Sequence, residues 1–94
     1  MVKVIFHYEV PVEKQEEYIK VTAEKIKPFW ESHGCQSYSV WQMKDQPITF
    51  VKEMVFQDIG SMEKTMALDE ANPVKELFYS FAANISRKVC TQKI

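Results

Sequence analysis

A four-stranded antiparallel sheet carrying helices on one face, connected β-α-β-β-α-β, is the fold class that this 94-residue chain predicts. Three observations lead there. Apolar and polar residues alternate one by one through 2–10, 35–43, 48–56 and 85–92, the period of a strand with one buried face. Two stretches, 12–34 and 58–83, instead space their apolar residues by three and four, the stripe of an amphipathic helix. Between the second and third strands lies only "KDQP", whose Asp and Pro bend the chain into a hairpin.

In the first strand Val2, Val4, Phe6, Tyr8 and Val10 share one side, and Lys3, Ile5, His7 and Glu9 the other. Pro11 ends it. The first helix follows with a stripe of Tyr18, Ile19, Thr22, Ile26, Phe29 and Trp30. Its early Glu13, Glu16 and Glu17 suit the positive end of the helix dipole, and Lys25 and Lys27 the other. Pro28 removes a helical hydrogen bond and disfavours a helical residue before it, so a kink or break is expected near Lys27. Gly34 then stands where a left-handed cap belongs, with His33 able to bond the last carbonyls. In the second strand Tyr38 and Val40 face one way, and Cys35, Ser37, Ser39, Trp41 and Met43 the other. After the third strand, Asp58 or Ser61 caps a helix to about Leu68, "EANP" breaks it, and Pro73 opens further turns through Ala83. The order is the ferredoxin-like split βαβ plan, in which the strands lie 4-1-3-2 across the sheet.

Helices cover one face of such a sheet only. The other would display Ile5, Trp41, Met43, Val51 and Val55, too much apolar surface for a monomer to leave wet. A chain this short buries only about two thirds of its unfolded surface, which also favours a partner subunit. A face-to-face homodimer of a single domain spanning 1–94 is therefore expected.

The formal charge of −1 and the absence of any Lys/Arg block exclude an electrostatic footprint for nucleic acid. No apolar run approaches the roughly 20 residues that span a bilayer, and "MVKVIFHYEV" alternates where a secretory signal would be continuously apolar. A cytoplasmic protein is expected. Cys35 and Cys90 form no C-x-x-C, and two His with two Cys offer no metal-ligand grouping. In the order 4-1-3-2 these cysteines lie on opposite edges, three spacings of about 4.8 Å apart, beyond the roughly 7 Å that a disulfide tolerates.

Several stretches resemble the dimeric α+β barrel proteins, especially their small antibiotic-biosynthesis-monooxygenase-like branch. "VPVEKQEEY" stands where that family shows Val-x-Pro-Gly-Lys and an aromatic, and "HGCQSYSV" where it shows Gly-Cys-x-x-Tyr-x-Val. Phe56 closes the third strand as an aromatic does there, and "ANPVKELF" resembles its Ser-Pro-His-Phe-Lys stretch. The resemblance implies a homodimer whose sheets face each other, with a ligand cleft in each subunit between sheet and helices. It also implies a choice of activities: cofactor-free oxidation of quinol-like aromatics, haem degradation, or isomerisation. Residue by residue, haem is disfavoured. Phe6 takes the place of the family's Asn, Phe56 or Val55 that of its Trp, and Val74 that of its iron-ligating His. Sugar mutarotases of the superfamily carry their proton-transferring His on the first helix, where this chain has Thr22. No cofactor is expected.

Two sets of residues are candidates for a site. His7 on the first strand and Glu53 on the third share the face away from the helices, where they would form an acid–base couple or a polar pair fixing dimer register. On the helix-facing side, Phe6, Tyr8, Trp30, Tyr38 and Tyr79 either line a slot for a flat aromatic ligand or form the core beneath the first helix. In the first case the Tyr38 hydroxyl is the donor that would stabilise a developing phenolate. The readings left open are a cofactor-independent monooxygenase acting on a small aromatic or quinol-like compound, and a non-catalytic ligand-binding or structural homodimer.

Overall fold

The computed structural model describes all 94 residues. Its strands are β1 (Val2–Glu9), β2 (Ser37–Gln42), β3 (Thr49–Phe56) and β4 (Ala83–Thr91), in the sheet order β2-β3-β1-β4. All neighbours are antiparallel. The ferredoxin-like plan and its strand order thus hold. Each helical stretch is divided: α1 (Val12–Val21) and α2 (Lys27–Ser32) before the hairpin, α3 (Ile59–Met66) and α4 (Asn72–Phe81) after it.

Between α1 and α2 the chain does not break at Pro28. Residues Thr22–Ile26 widen into a π-helical turn, and the Lys27 N–H reaches back to the Thr22 carbonyl. A π turn lengthens the hydrogen-bonded loop by one residue, which lets the helix continue past a proline whose ring and missing N–H would otherwise stop it. Gly34 ends α2 at φ 109°, and a Cβ there would lie 2.9 Å from the Thr65 hydroxyl oxygen. That hydroxyl donates to the His33 carbonyl, tying the cap to α3. Asp58 is the cap of α3, its carboxylate accepting from the Ser61 N–H at 2.7 Å. "EANP" forms a 3-10 turn over Asp69–Ala71 that leads directly into α4, with Pro73 in its first turn.

The core lies between the sheet and the helices. Val2, Val4, Phe6, Tyr8 and Val10 of the first strand region, Phe50, Met54 and Phe56 of β3, and Tyr38 of β2 are buried against Tyr18, Ile26, Trp30, Met62, Val74 and Phe78. The opposite face of the sheet is open, with Trp41 62% and Met43 42% exposed. Strand β4 is exposed along its whole length, so the helices cover only three of the four strands. Cys35 is buried, Cys90 is exposed, and both are free thiols.

Candidate functional site

Three phenols converge beneath α1. The Tyr8 hydroxyl bonds the Tyr18 hydroxyl, and Tyr38 approaches the same pair from β2. Strand alternation aims Tyr8 and Tyr38 at the helices, and the helical stripe aims Tyr18 at the sheet. Phe50 stacks on Tyr8 with ring centres 6.0 Å apart and meets Tyr18 edge-on at 5.8 Å. Beside this cluster, between the π turn and the edge strand β2, lies a cleft of about 350 Å³. Tyr18, Thr22, Tyr38 and Phe50 form its wall. The hydroxyls of Thr22 and Tyr38 are both buried and have no hydrogen-bond partner in the protein.

Tyr38 is held from behind by a clamp from α2. Its N–H donates to the Glu31 carboxylate at 3.2 Å, its carbonyl accepts from the Lys27 ammonium at 2.8 Å, and Lys27 pairs with Glu31 at 3.4 Å. Backbone groups that an edge strand would expose are thus satisfied by side chains one helical turn apart. Burial pushes the Tyr38 phenol above the ordinary tyrosine range, and the neighbouring Tyr18 adds to the rise. Tyr8 is raised likewise, by burial first and by Tyr18 next. At neutral pH these phenols are hydrogen-bond donors and not anions.

A second feature adjoins the cluster. Lys52 occupies the centre of the helix-facing side of β3, only 3% exposed. Its ammonium lies 3.3 Å from the Phe78 ring centre, 4.2 Å from Phe6 and 5.6 Å from Tyr38, and forms no ion pair or hydrogen bond. Ring faces attract a cation at such distances, which partly offsets the loss of water. Burial still lowers its pKa to about 7. A cavity of about 30 Å³ touches Lys52, walled by Phe6, Trp30, Val74, Phe78 and Tyr79 among others.

The sequence-derived candidates therefore divide. Tyr38 stands at the cleft, while Phe6, Trp30 and Tyr79 wall the small cavity, the Tyr79 ring being 57% exposed at its rim. Tyr8 is core between the two, its hydroxyl already used by Tyr18. His7 and Glu53 lie on the other face of the sheet and do not form the expected couple. His7 stands opposite Val51 and Ser86, while Glu53 stands opposite Ile5 and bonds the Lys3 ammonium at 3.0 Å. In a strand ladder Glu53 is diagonal to both Lys3 and His7, and the permanent cation wins over an exposed imidazole. His33 caps α2, its Nδ1–H donating to the Phe29 carbonyl at 2.7 Å.

Thr22, Tyr18 and Lys52 were not singled out by sequence as site residues. For Lys52 the signal was present, because Phe50, Lys52, Met54 and Phe56 share one parity in β3 and three of them are plainly core. No three His, Cys, Asp or Glu side chains gather as a metal site. No helix is long and apolar enough to cross a membrane.

The fold is the ferredoxin-like α+β fold that solved antibiotic biosynthesis monooxygenase structures also have. Among solved structures the chain is similar to a variant of SnoaB, a cofactor-independent oxygenase from Streptomyces nogalater. That match has a TM-score of 0.87 at 15% identity, over 99% of this chain and 93% of that one. It is similar also to HapK from Hahella chejuensis, with a TM-score of 0.85 at 11% identity over 99% and 93% of the two chains. A third structure, an antibiotic biosynthesis monooxygenase, matches with a TM-score of 0.78 at 15% identity over 100% of both chains. No protein-family model and no curated protein sequence matches the chain.

Proposed function

We propose that this protein is a cofactor-independent oxygenase whose substrate, a small flat phenol or quinol, lies in the cleft beside Tyr38 and Thr22. The observation that carries the reading is a cleft lined by Thr22 and Tyr38, two residues whose buried hydroxyls have no hydrogen-bond partner in the protein. An unsatisfied buried hydroxyl costs about 1–3 kcal/mol, which a ligand oxygen placed between the two would relieve. Ile19, Ala23 and Val40 offer apolar surface against which a flat ring can lie. Tyr38, kept protonated, donates to oxygen as negative charge develops on it, so the electron-rich phenolate is stabilised where it forms. The likeness to SnoaB, a cofactor-independent oxygenase, supports the same class of chemistry without supplying the substrate.

A second reading is favoured by one observation: the cleft wall carries no His, Asp or Glu to take the phenol proton. On that reading the cleft binds a small aromatic and releases it unchanged. Under both readings a second copy covers the open sheet face, burying Ile5, Val51, Val55 and Trp41 in a barrel. Two free thiols suit a reducing compartment, so we place the protein in the cytoplasm.

The test is a thermal-shift screen of the purified protein against quinols, simple phenols and apolar non-phenols, followed by oxygen uptake with each binder. A phenol at a hundredfold excess over its Kd should stabilise the fold by about 2.7 kcal/mol, and non-phenols of equal size should not. Stabilisation with oxygen consumption supports the oxygenase; stabilisation without it supports the binder. Stabilisation by no phenol defeats both.

A further inference from the structure

We propose that the space beside Lys52 is a binding site for a small monocarboxylate, whose carboxylate enters past Tyr79 and pairs with the Lys52 ammonium. The site is independent of the oxygenase reading, since this space and the cleft beside Tyr38 share no lining residue.

Charge is the first reason. Lys52 is 3% exposed, and its ammonium has only ring faces for neighbours, Phe78 at 3.3 Å and Phe6 at 4.2 Å. Buried charges are normally paired, because the lost hydration is not otherwise made good. Water entering from the rim accepts the hydrogen bonds of the ammonium but leaves its charge uncompensated. The neighbouring charges have the same sign. Lys75 is on the same wall, its ammonium donating to the Met66 carbonyl, and the Arg87 guanidinium stands 6.0 Å from the Phe6 ring centre. No Asp or Glu lines the space, and the ion pairs Lys3–Glu53, Lys27–Glu31 and His33–Glu70 include none of these cations. The chain has 13 acidic residues against 12 Lys and Arg, so three unpaired cations in one corner of it do not reflect a basic protein. Negative charge is missing there.

Size and lining select the anion. The space of about 30 Å³ holds roughly two waters at 10–15 Å³ each. The flat carboxylate of formate or acetate is of that order, whereas tetrahedral sulfate or phosphate is larger. Most of the wall is apolar, with Phe6, Trp30, Val74 and Phe78, so further oxygens would meet no donor. A carboxylate has only two oxygens to satisfy. One takes a charge-assisted bond from Lys52, and the other is served by Lys75 or by water at the rim. Tyr79, 57% exposed, stands at that rim, so the group that bears the carboxylate extends past it into solvent.

Formate is the probe, followed by the relaxation of its proton in NMR titrations at about pH 6, with ionic strength held by sodium sulfate. A ligand of three heavy atoms binds no tighter than about 1 mM. Saturable binding with a Kd of about 1–10 mM is expected in the wild type and in Lys64→Met, a control for exposed lysines. Lys52→Met should weaken it at least tenfold. Lys75→Gln should weaken it about threefold, and it carries the test if Lys52→Met fails to fold. No saturable binding to the wild type below about 100 mM, or undiminished affinity in either cavity variant, overturns the site. Competition between formate and a phenol overturns it too, by placing the anion in the cleft. Formate binding with no phenol bound or oxidised supports the site and defeats only the reading of the cleft.

Discussion

The Lys52 ammonium lies 3.3 Å from the centre of the Phe78 ring, in the middle of a hydrophobic core that offers it no carboxylate. A cation held only by π faces sets the pH dependence of stability. Burial lowers Lys52 from its ordinary 10.5 to about 7 in the folded chain. Between those values the unfolded chain keeps a proton that the native chain has released, so stability rises with pH, by up to about 1.4 kcal/mol per pH unit. Below that window both states are protonated and the cost of the buried ammonium is fully present.

Urea unfolding at about pH 7 and about pH 8.5 should therefore show a rising midpoint in the wild type and a flatter one in Lys52→Met. The interval stops short of 9.0, the ordinary value from which burial raises the Cys35 thiol, because that group opposes the trend once the unfolded chain begins to ionise. Equal slopes in the two proteins would mean that Lys52 is not buried as described.

Two conservative substitutions of the phenol cluster should differ in sign. Tyr38→Phe removes a hydroxyl with no partner and should raise stability by about 1 kcal/mol, while weakening phenol binding about tenfold. Tyr8→Phe instead strands the Tyr18 hydroxyl in the core and should cost about 1–3 kcal/mol. Denaturant titration of both variants, with ligand titration of the first, checks the pair; a destabilised Tyr38→Phe would show that its hydroxyl is satisfied.

Gly34→Ala meets two penalties at once, a left-handed backbone and a Cβ 2.9 Å from the Thr65 hydroxyl oxygen. A loss of roughly 1–3 kcal/mol is expected. Adding Thr65→Ala relieves the contact but not the backbone, so the double variant should recover only part of the loss, as a double-mutant cycle would measure.

Trp41→Glu places a charge on the open sheet face, on the edge strand β2. If that face joins two copies, light scattering should show a dimer for the wild type and a monomer for the variant, with the core unaffected because Trp41 lies outside it. A wild-type monomer would remove the barrel altogether.

Local chemistry was legible to within a residue or two wherever a single element decides it. Alternation placed β1 and β3, Asp58 capped α3, Gly34 ended α2, and the hairpin at "KDQP" set β2 beside β3. Pro28 predicts a kink or a break near Lys27, and the chain forms a π turn instead, because which way a helix accommodates a proline depends on what packs against it; here α4 packs on that turn.

The candidate site was less legible, since it is made by distances between elements. Parity in the sequence already determined that His7 and Glu53 share a face, that Tyr8, Tyr38 and Lys52 share the other, and that Cys35 and Cys90 lie apart. Only the tertiary structure decided that Glu53 takes Lys3, that Tyr8 spends its hydroxyl on Tyr18, and that the buried hydroxyls of Tyr38 and Thr22 find no partner. Periodicity carries the direction of a side chain, which the backbone fixes residue by residue. It does not carry the few ångströms between side chains of different elements, and hydrogen bonds, ion pairs and cavities are settled by those.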